Sequence, residues 1–298
     1  MKSRKIIIMN VMKNKKAFTL IELLVVIAII ALLLAILMPG LQKAKELAKM
    51  VVCMTNHKGM VTAWKTYSAD NNGELVGGNV HSRNSSGAVA KDNRDWSLAP
   101  VVETSSGLQY NFGGSDEEKL RNEQRGIRKG ALYPYLESID IYHCPADRRG
   151  TGGNPGEKPS FRSYSITANM NGERGGGSYF QDEIGVTKDT KIKSPDSRFV
   201  FIDDFDSRGF NKGSWSFYYP LSNPNNSTIA DPVSVWHFKK CNFSYADGHV
   251  ESYVWRNQDT HKGCIMIAEG DSAAGRTLVG TSGTNDDIRF LAQGFRAR

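Results

Sequence analysis

The sequence predicts an α+β fold in which one long N-terminal helix packs on a loop-rich antiparallel β-sheet head. Three observations predict it. Residues 23–38 form an apolar run without a charge. A pattern of apolar residues at helical spacing follows this run and stops at an Asp-Asn-Asn-Gly sequence. The best strand patterns lie in the last third of the 298-residue chain, which is otherwise rich in Gly, Asn and Ser.

The apolar run is long enough to belong to a membrane-spanning helix. Residues 23–38 cover about 24 Å as a helix, and the flanking residues 18–21 and 40–41 extend it to the thickness of a bilayer. Glu22 stands at the start of this stretch. A carboxylate in an apolar helix is costly and usually has a function, which a simple anchor would not require.

The positive charge of the chain is concentrated ahead of the apolar run. Residues 1–17 contain six Lys or Arg residues and no acid, which leaves 32 basic residues against 31 acidic ones in the remainder. The basic flank predicts that the N-terminus stays in the cytoplasm. No basic patch with interleaved aromatic residues follows it, so we expect no nucleic-acid partner.

The helix is predicted to continue beyond the apolar run to about Ser68, a length of roughly 75 Å. Pro39 is expected to disrupt it locally, because proline has no N–H group to donate. The continuation is amphipathic, with apolar residues spaced three or four apart. These residues are Leu41, Ala44, Leu47, Ala48, Val51, Val52, Met60, Ala63, Trp64 and Tyr67.

The head has few clear signals. Residues 73–130 resemble loops, except for a short charged helix that begins near residue 115 and leads into an apolar turn. Residues 197–204 form one predicted strand, and residues 241–245 and 249–255 form a predicted hairpin. Its turn, Ala246-Asp247-Gly248, contains a glycine that can adopt positive φ.

The four cysteines, Cys53, Cys144, Cys241 and Cys264, include no C-x-x-C pair. This spacing argues against a zinc site. Disulfides are possible if the head lies outside the cytoplasm, and three pairings then exist. Buried or free thiols are an equally good interpretation.

The N-terminal residues FTLIE, a basic leader before them and an apolar helix after them resemble the type IV pilins and type II secretion pseudopilins. The resemblance implies cleavage of the Ala17–Phe18 bond by prepilin peptidase and N-methylation of Phe18. Glu22 would attract the N-terminal amine of a neighbouring subunit. Ala17 departs from the family pattern, which has glycine before the cut, and slower processing would follow.

This resemblance implies a domain organisation and a location. Residues 1–17 would be the leader, 18–42 the transmembrane and assembly helix, 43–70 its amphipathic continuation, and 71–298 a pilin-like head. The helix would anchor the chain in the bacterial inner membrane and later bind other pilin or pseudopilin subunits. The head would lie in the periplasm or on a surface filament.

The second half of the chain resembles pilin-like proteins that carry an H-x9-D-G motif, the DUF1559-type domain. His237, Asp247 and Gly248 supply the motif, and residues 141–147 and 192–204 resemble the segments that precede it. We favour a structural role in which Asp247-Gly248 forms the hairpin turn and His237 hydrogen-bonds across to it.

A cation site is the alternative for this motif. Asp204, Asp247 and nearby carbonyl groups could bind Ca²⁺, which takes six to eight oxygen ligands. The spacing does not match an EF-hand loop. We therefore expect no cofactor, with Ca²⁺ as the alternative.

Three functions remain to be compared. The favoured one is a structural filament or secretion subunit that is not an enzyme. The second is a membrane-anchored module that binds glycans or calcium, for which the aromatic residues of segment 215–220 could form a surface, although such clusters are more often core. The third is a tethered hydrolase, for which Cys144 beside His143 is a weak nucleophile candidate.

Overall fold

A computed structural model describes residues 18–80, 89, 94–149, 160–172, 185–205, 214–268 and 272–296. The leader, and with it Ala17, lies outside the described residues. The chain divides into two compact units, one ending at Lys45 and the other beginning at Glu46.

Helix α1 runs from Leu20 to Asp70, which confirms the long N-terminal helix that the sequence predicts. Pro39 lies inside it, so the expected local disruption does not end the helix. A proline removes one hydrogen bond, and the turns on either side can still continue the helix. The helix ends at Asp70, and Asn72 and Gly73 just after it have φ of 55° and 79°, in agreement with the predicted stop.

Within the described residues, eight short strands form three antiparallel sheets. They are β1 (Val101–Thr104), β2 (Gly107–Tyr110), β3 (Tyr164–Ile166), β4 (Phe199–Asp203), β5 (Phe217–Tyr218), β6 (Thr228–Ile229), β7 (Lys240–Tyr245) and β8 (Val250–Val254). The main sheet has the order β3-β4-β7-β8, and β1-β2 and β5-β6 are separate pairs. The antiparallel head is therefore confirmed.

Shorter helices make up part of the remaining described structure. Helix α2 (Asp116–Arg128) begins with a capping box between Ser115 and Glu118, and α3 (Tyr133–Leu136) follows it. Three C-terminal helices close the chain. They are Gln258–Ala268, Ser272–Val279 and Asp286–Phe295.

The main sheet separates two apolar cores. Val200 and Phe201 of β4 join the core that contains the buried face of α1, including Trp64. Phe199 and Ile202 join the other core, which contains residues of β7 and of the C-terminal helices. The register shift between Phe199 and Phe201 allows two successive residues to face the same core.

The sequence identifies β4 and the β7–β8 hairpin to within two residues, as well as α2. It does not identify the β1–β2 hairpin or the C-terminal helices. The aromatic segment 215–220 is mostly core, because Trp215, Phe217 and Tyr219 are buried. These three rings therefore form no exposed surface for a glycan.

Candidate functional site

The first unit presents an exposed apolar helix surface. The large apolar side chains from Phe18, which is 69% exposed, to Leu41 are all accessible. Glu22 is the one charged residue in segment 18–42. Among the described residues α1 is the one helix long and apolar enough to cross a membrane, with a mean hydropathy of 3.3 over its best window. Length and composition therefore make it a membrane-anchor candidate.

Glu22 forms a capping box with Thr19 at the start of α1. The backbone N–H and the hydroxyl of Thr19 donate to Oε2 of Glu22 at 2.9 and 2.8 Å, and the N–H of Glu22 donates back to Oγ1 of Thr19 at 3.3 Å. This satisfies backbone N–H groups that lack partners in the first turn. The Thr-x-x-Glu spacing before an apolar run is the sequence signal for it.

The second unit contains a buried cluster of Cys, His and Asp side chains, which are residue types able to bind a metal ion. It consists of two residues one turn apart on α1, one from the loop after α3, the last residue of β4 and the histidine of the H-x9-D-G motif. These five residues, here called the thiol–histidine cluster, are Cys53, His57, Cys144, Asp203 and His237. His237 is 3% exposed and the other four are fully buried.

Short contacts link the members of the thiol–histidine cluster. Sγ of Cys144 lies 3.2 Å from Nε2 of His237. The thiol of Cys53 donates to Oδ1 of Asp203 at 3.3 Å, and Nε2 of His57 lies 2.8 Å from the same oxygen. The other carboxylate oxygen of Asp203 accepts the backbone N–H of Asn242 at 2.8 Å. The carboxylate of Asp203 is therefore held from three sides.

His237 reaches Cys144 through an uncommon backbone conformation. His237, Phe238 and Lys239 have φ of 53°, 59° and 65°, so the segment Trp236–Lys239 forms a left-handed turn. Left-handed conformation costs a residue other than glycine roughly 1–2 kcal/mol. Three such residues in succession indicate that surrounding contacts impose this turn, and the Cys144 contact is one of them.

The two thiols of the cluster differ in acidity. Burial alone would raise the pKa of Cys144, but its interactions with Cys53 and His237 lower it to about 7. Burial and the neighbouring Cys144 raise the pKa of Cys53 well above its usual value. Burial opposes protonation of His237, but contact with Cys144 outweighs it and raises the pKa of the imidazole. Cys144 is therefore the more acidic of the two thiols.

The structure corrects the role expected for His237. Its ring contacts Cys144, whereas the side chain of Asp247 pairs with Nδ1 of His249 at 2.7 Å. Asp247 and Gly248 do form the turn of the β7–β8 hairpin, and Gly248 has a φ of 102°. The two parts of the motif therefore have separate roles: His237 contacts the buried thiol of Cys144, and Asp247-Gly248 forms the hairpin turn.

The geometry does not support the alternative calcium site, which draws on Asp204 and Asp247. Phe199 at the start of β4 pairs with Tyr245 beside the turn, whereas Asp204 follows the other end of that strand. Five residues of strand span roughly 16 Å, so no single ion contacts both carboxylates. Asp204 is buried and accepts a hydrogen bond of 2.7 Å from Ser165.

The four cysteines are free thiols, and all four are buried. None of the three possible disulfide pairings is formed in this structure. Cys241 and Cys264 belong to the core on the far side of the main sheet, and burial raises the pKa of both. Their surroundings differ from the polar cluster that contains Cys53 and Cys144.

Comparisons with known proteins give a family match at the N-terminus of the chain, which includes the apolar run. Residues 12–38 match the family model of the prokaryotic N-terminal methylation motif. Over 61 residues the chain is 48% identical to the type IV wide pilus major component PilA4 of Thermus thermophilus. That alignment covers 20% of this chain and 47% of PilA4, so the chain spans less than half the length of this relative. No solved structure matches the chain.

Proposed function

We propose that this type IV pilin-like chain is a structural subunit of a filament of the type IV pilus or type II secretion type, processed by prepilin peptidase at Ala17–Phe18. The observation that carries the proposal is the exposed apolar surface from Phe18 to Leu41, interrupted by the single charge of Glu22. A surface of this size needs lipid or other apolar helices to cover it. The methylation motif over residues 12–38 and the likeness to PilA4 support the same conclusion.

In this proposal α1 has two successive environments. It first anchors the chain in the inner membrane, with the leader in the cytoplasm and the head outside. After cleavage, the same apolar surface packs against the helices of neighbouring subunits. The carboxylate of Glu22 then pairs with the methylated amine of Phe18 in a neighbour. A buried ion pair of this kind specifies register more than it adds stability.

We assign no catalytic activity to the chain. Cys144 and His237 form a thiol–imidazole pair of the kind that can activate a nucleophile, since Sγ and Nε2 lie 3.2 Å apart. Both are buried, so a substrate could reach them only if the head opened. His143, the partner expected for Cys144 in a hydrolase, instead directs its Nδ1 to the carbonyl oxygen of Phe161 at 2.7 Å.

Mass spectrometry of the N-terminus tests the processing step. In cells with an active prepilin peptidase, the mature chain should begin at N-methylated Phe18. An intact leader in such cells would contradict the proposal. Replacing Ala17 by glycine should give the family pattern and raise the fraction of processed chain.

Assembly is tested by crosslinking α1 helices in membranes and by counting subunits in sheared filaments. Glu22→Ala should abolish assembly while leaving cleavage intact, and Glu22→Gln should fail as well, because the amide has no charge. Glu46→Ala is the matched control, since it removes an acid from the same helix beyond the apolar surface. If Glu22→Ala assembles as well as Glu46→Ala, Glu22 has no role in assembly.

A further inference from the structure

We propose that Cys53, Cys144 and His237 bind one transition-metal ion of the zinc class. Their donor atoms are a thiol pair and an imidazole nitrogen that all lie within 4.8 Å of one another. The Sγ atom of Cys53 is shared with a second group formed with His57 and Asp203. The proposal concerns the head and does not depend on filament assembly.

The spacing of the donor atoms suits one small ion. Zinc lies about 2.3 Å from sulfur and about 2.0 Å from nitrogen, so neighbouring ligand atoms in a tetrahedral site are about 3.5 Å apart. Sγ of Cys144 and Nε2 of His237 are 3.2 Å apart, and Sγ of Cys53 lies within 4.8 Å of both atoms. Small side-chain shifts would therefore admit the ion.

The donor types select the class of metal. Thiolate and imidazole groups favour zinc and its neighbours in the transition series, whereas calcium and magnesium require oxygen ligands. Binding converts the thiols of Cys53 and Cys144 into thiolates and releases two protons. Two thiolates balance the charge of a divalent ion, which lowers the cost of placing that ion in a buried site.

The surrounding structure positions these donors. Cys53 and His57 lie one turn apart on α1, and both contact the carboxylate of Asp203, which thereby holds Cys53 in place. Contacts of this kind orient metal ligands. The left-handed turn delivers His237 to Cys144 at a conformational cost that a ligand role would explain.

The site was not expected from the cysteine spacing, because the sequence contains no C-x-x-C pair. The spacing rule detects pairs of ligands on one local turn. Here the ligands come from segments far apart in the chain, since Cys144 and His237 are 93 positions apart. A disulfide between Cys53 and Cys144 is the competing use of the two thiols, but it gives no role to His57, Asp203 or His237.

The test uses the full chain without an affinity tag, purified in detergent under reducing and metal-free conditions. Titration with Zn²⁺ alone should give one ion per chain and raise the midpoint of thermal unfolding. Titration with Co²⁺ alone should give the absorption bands of thiolate-bound cobalt in a tetrahedral site. If the unaltered chain binds neither ion, the proposal is overturned whether or not any variant folds.

Variants locate the ion. Cys144→Ser and Cys53→Ser should abolish the cobalt bands, and His237→Asn should weaken zinc binding at least tenfold. Cys264→Ser is the matched control, since it removes a buried thiol outside the cluster and should bind as the unaltered chain does. Equal loss in Cys264→Ser would overturn the assignment.

Intact-mass measurement of the chain taken directly from cells decides between the two uses of the thiols. A bound ion protects both thiols, so the chain should carry four free cysteines after gentle unfolding in the presence of an alkylating reagent. A disulfide between Cys53 and Cys144, found by peptide mapping in the chain from cells, would overturn the metal proposal.

Discussion

Lys58 on α1 donates a hydrogen bond of 2.7 Å to the carbonyl oxygen of Gly248, which lies 190 residues later in the chain. Lys65, two turns further along α1, donates to the carbonyl oxygen of Asp247 at 2.9 Å. The turn of the β7–β8 hairpin is thus attached to α1 by its main chain. The Asp247-Gly248 pair therefore sets the conformation of the turn, and this conformation directs the two carbonyl groups towards the lysines of α1.

Gly248→Ala should destabilise the head by about 1–3 kcal/mol, because φ of 102° is unfavourable for any residue with a Cβ atom. Space is not the cause, since a Cβ atom there would lie 3.5 Å from Cδ of Lys65. Denaturant unfolding of the full chain in detergent measures the change. Gly113→Ala, in a loop without positive φ, is the control and should change stability by less than about 0.5 kcal/mol.

Asp247→Asn should cost well under 1 kcal/mol, since the ion pair with His249 is more than one-third exposed on both sides. Burial opposes ionisation, but the N–H and ring of His249 lower the pKa of Asp247 below its usual 3.8. An acid with a lowered pKa stabilises the fold above its unfolded pKa, and this contribution disappears as pH falls through the folded value. The difference between Asp247→Asn and the unaltered chain should therefore be present near pH 5.5 and absent near about pH 2. A difference that grows on acidification would contradict this.

Two glycines in helices should respond to alanine in opposite ways. Gly294→Ala should cost about 1–3 kcal/mol, because a Cβ atom would overlap the buried ring of Phe199. Gly59→Ala on α1 should stabilise by about 0.5–1 kcal/mol, because alanine favours helix and its Cβ would lie 3.7 Å from Ile141 in ordinary contact. Unfolding midpoints of the two variants, measured side by side, check both signs.

Lys239→Gly should stabilise the chain by about 0.5 kcal/mol, because glycine relieves the left-handed conformation at φ of 65° more than it adds freedom to the unfolded chain. The neighbouring Lys240 has a φ of −114° at the start of β7. Lys240→Gly should therefore destabilise by about 0.5–1 kcal/mol. Equal effects at the two positions would show that the turn carries no backbone strain.

The variant Thr19→Ala distinguishes two possible roles of Glu22, which are capping the start of α1 and providing a charge for assembly. It removes the hydroxyl that bonds Glu22 and should cost about 1 kcal/mol of helix stability, a severalfold effect on assembly. Thr19→Ser keeps the hydroxyl and should assemble normally. Quantification of filaments beside Glu22→Ala checks the ranking. If Thr19→Ala fails as completely as Glu22→Ala, the cap accounts for the role of Glu22.

The parts of the fold that the sequence predicts are those specified by local patterns. The apolar run specifies α1, and the Asp247-Gly248 pair specifies a turn between two alternating segments. The helix Asp286–Phe295 has local signals that the sequence analysis missed. Asn285 caps it, accepting the N–H of Asp287, and Ile288, Leu291 and Phe295 recur at helical spacing.

The thiol–histidine cluster could not be predicted from local patterns. Cys53, Cys144 and His237 meet because α1, the loop after α3 and the turn before β7 all pack against one end of β4. Nothing in the sequence marks His237 for positive φ, since no glycine or asparagine stands at residues 236–239. Its conformation is imposed by tertiary contacts, and so is the separation of the histidine from the Asp-Gly turn.

Because every cysteine of this chain is a buried free thiol, the head carries its own probes of breathing motions. In the metal-free chain, a thiol reagent in solution reaches Cys53 when α1 separates from the sheet, and it reaches Cys264 when the C-terminal helices separate from the sheet. The order in which the two residues are alkylated would reveal which layer of the head opens first. Alkylation of the native cysteines can thus measure local unfolding at single residues without an introduced label.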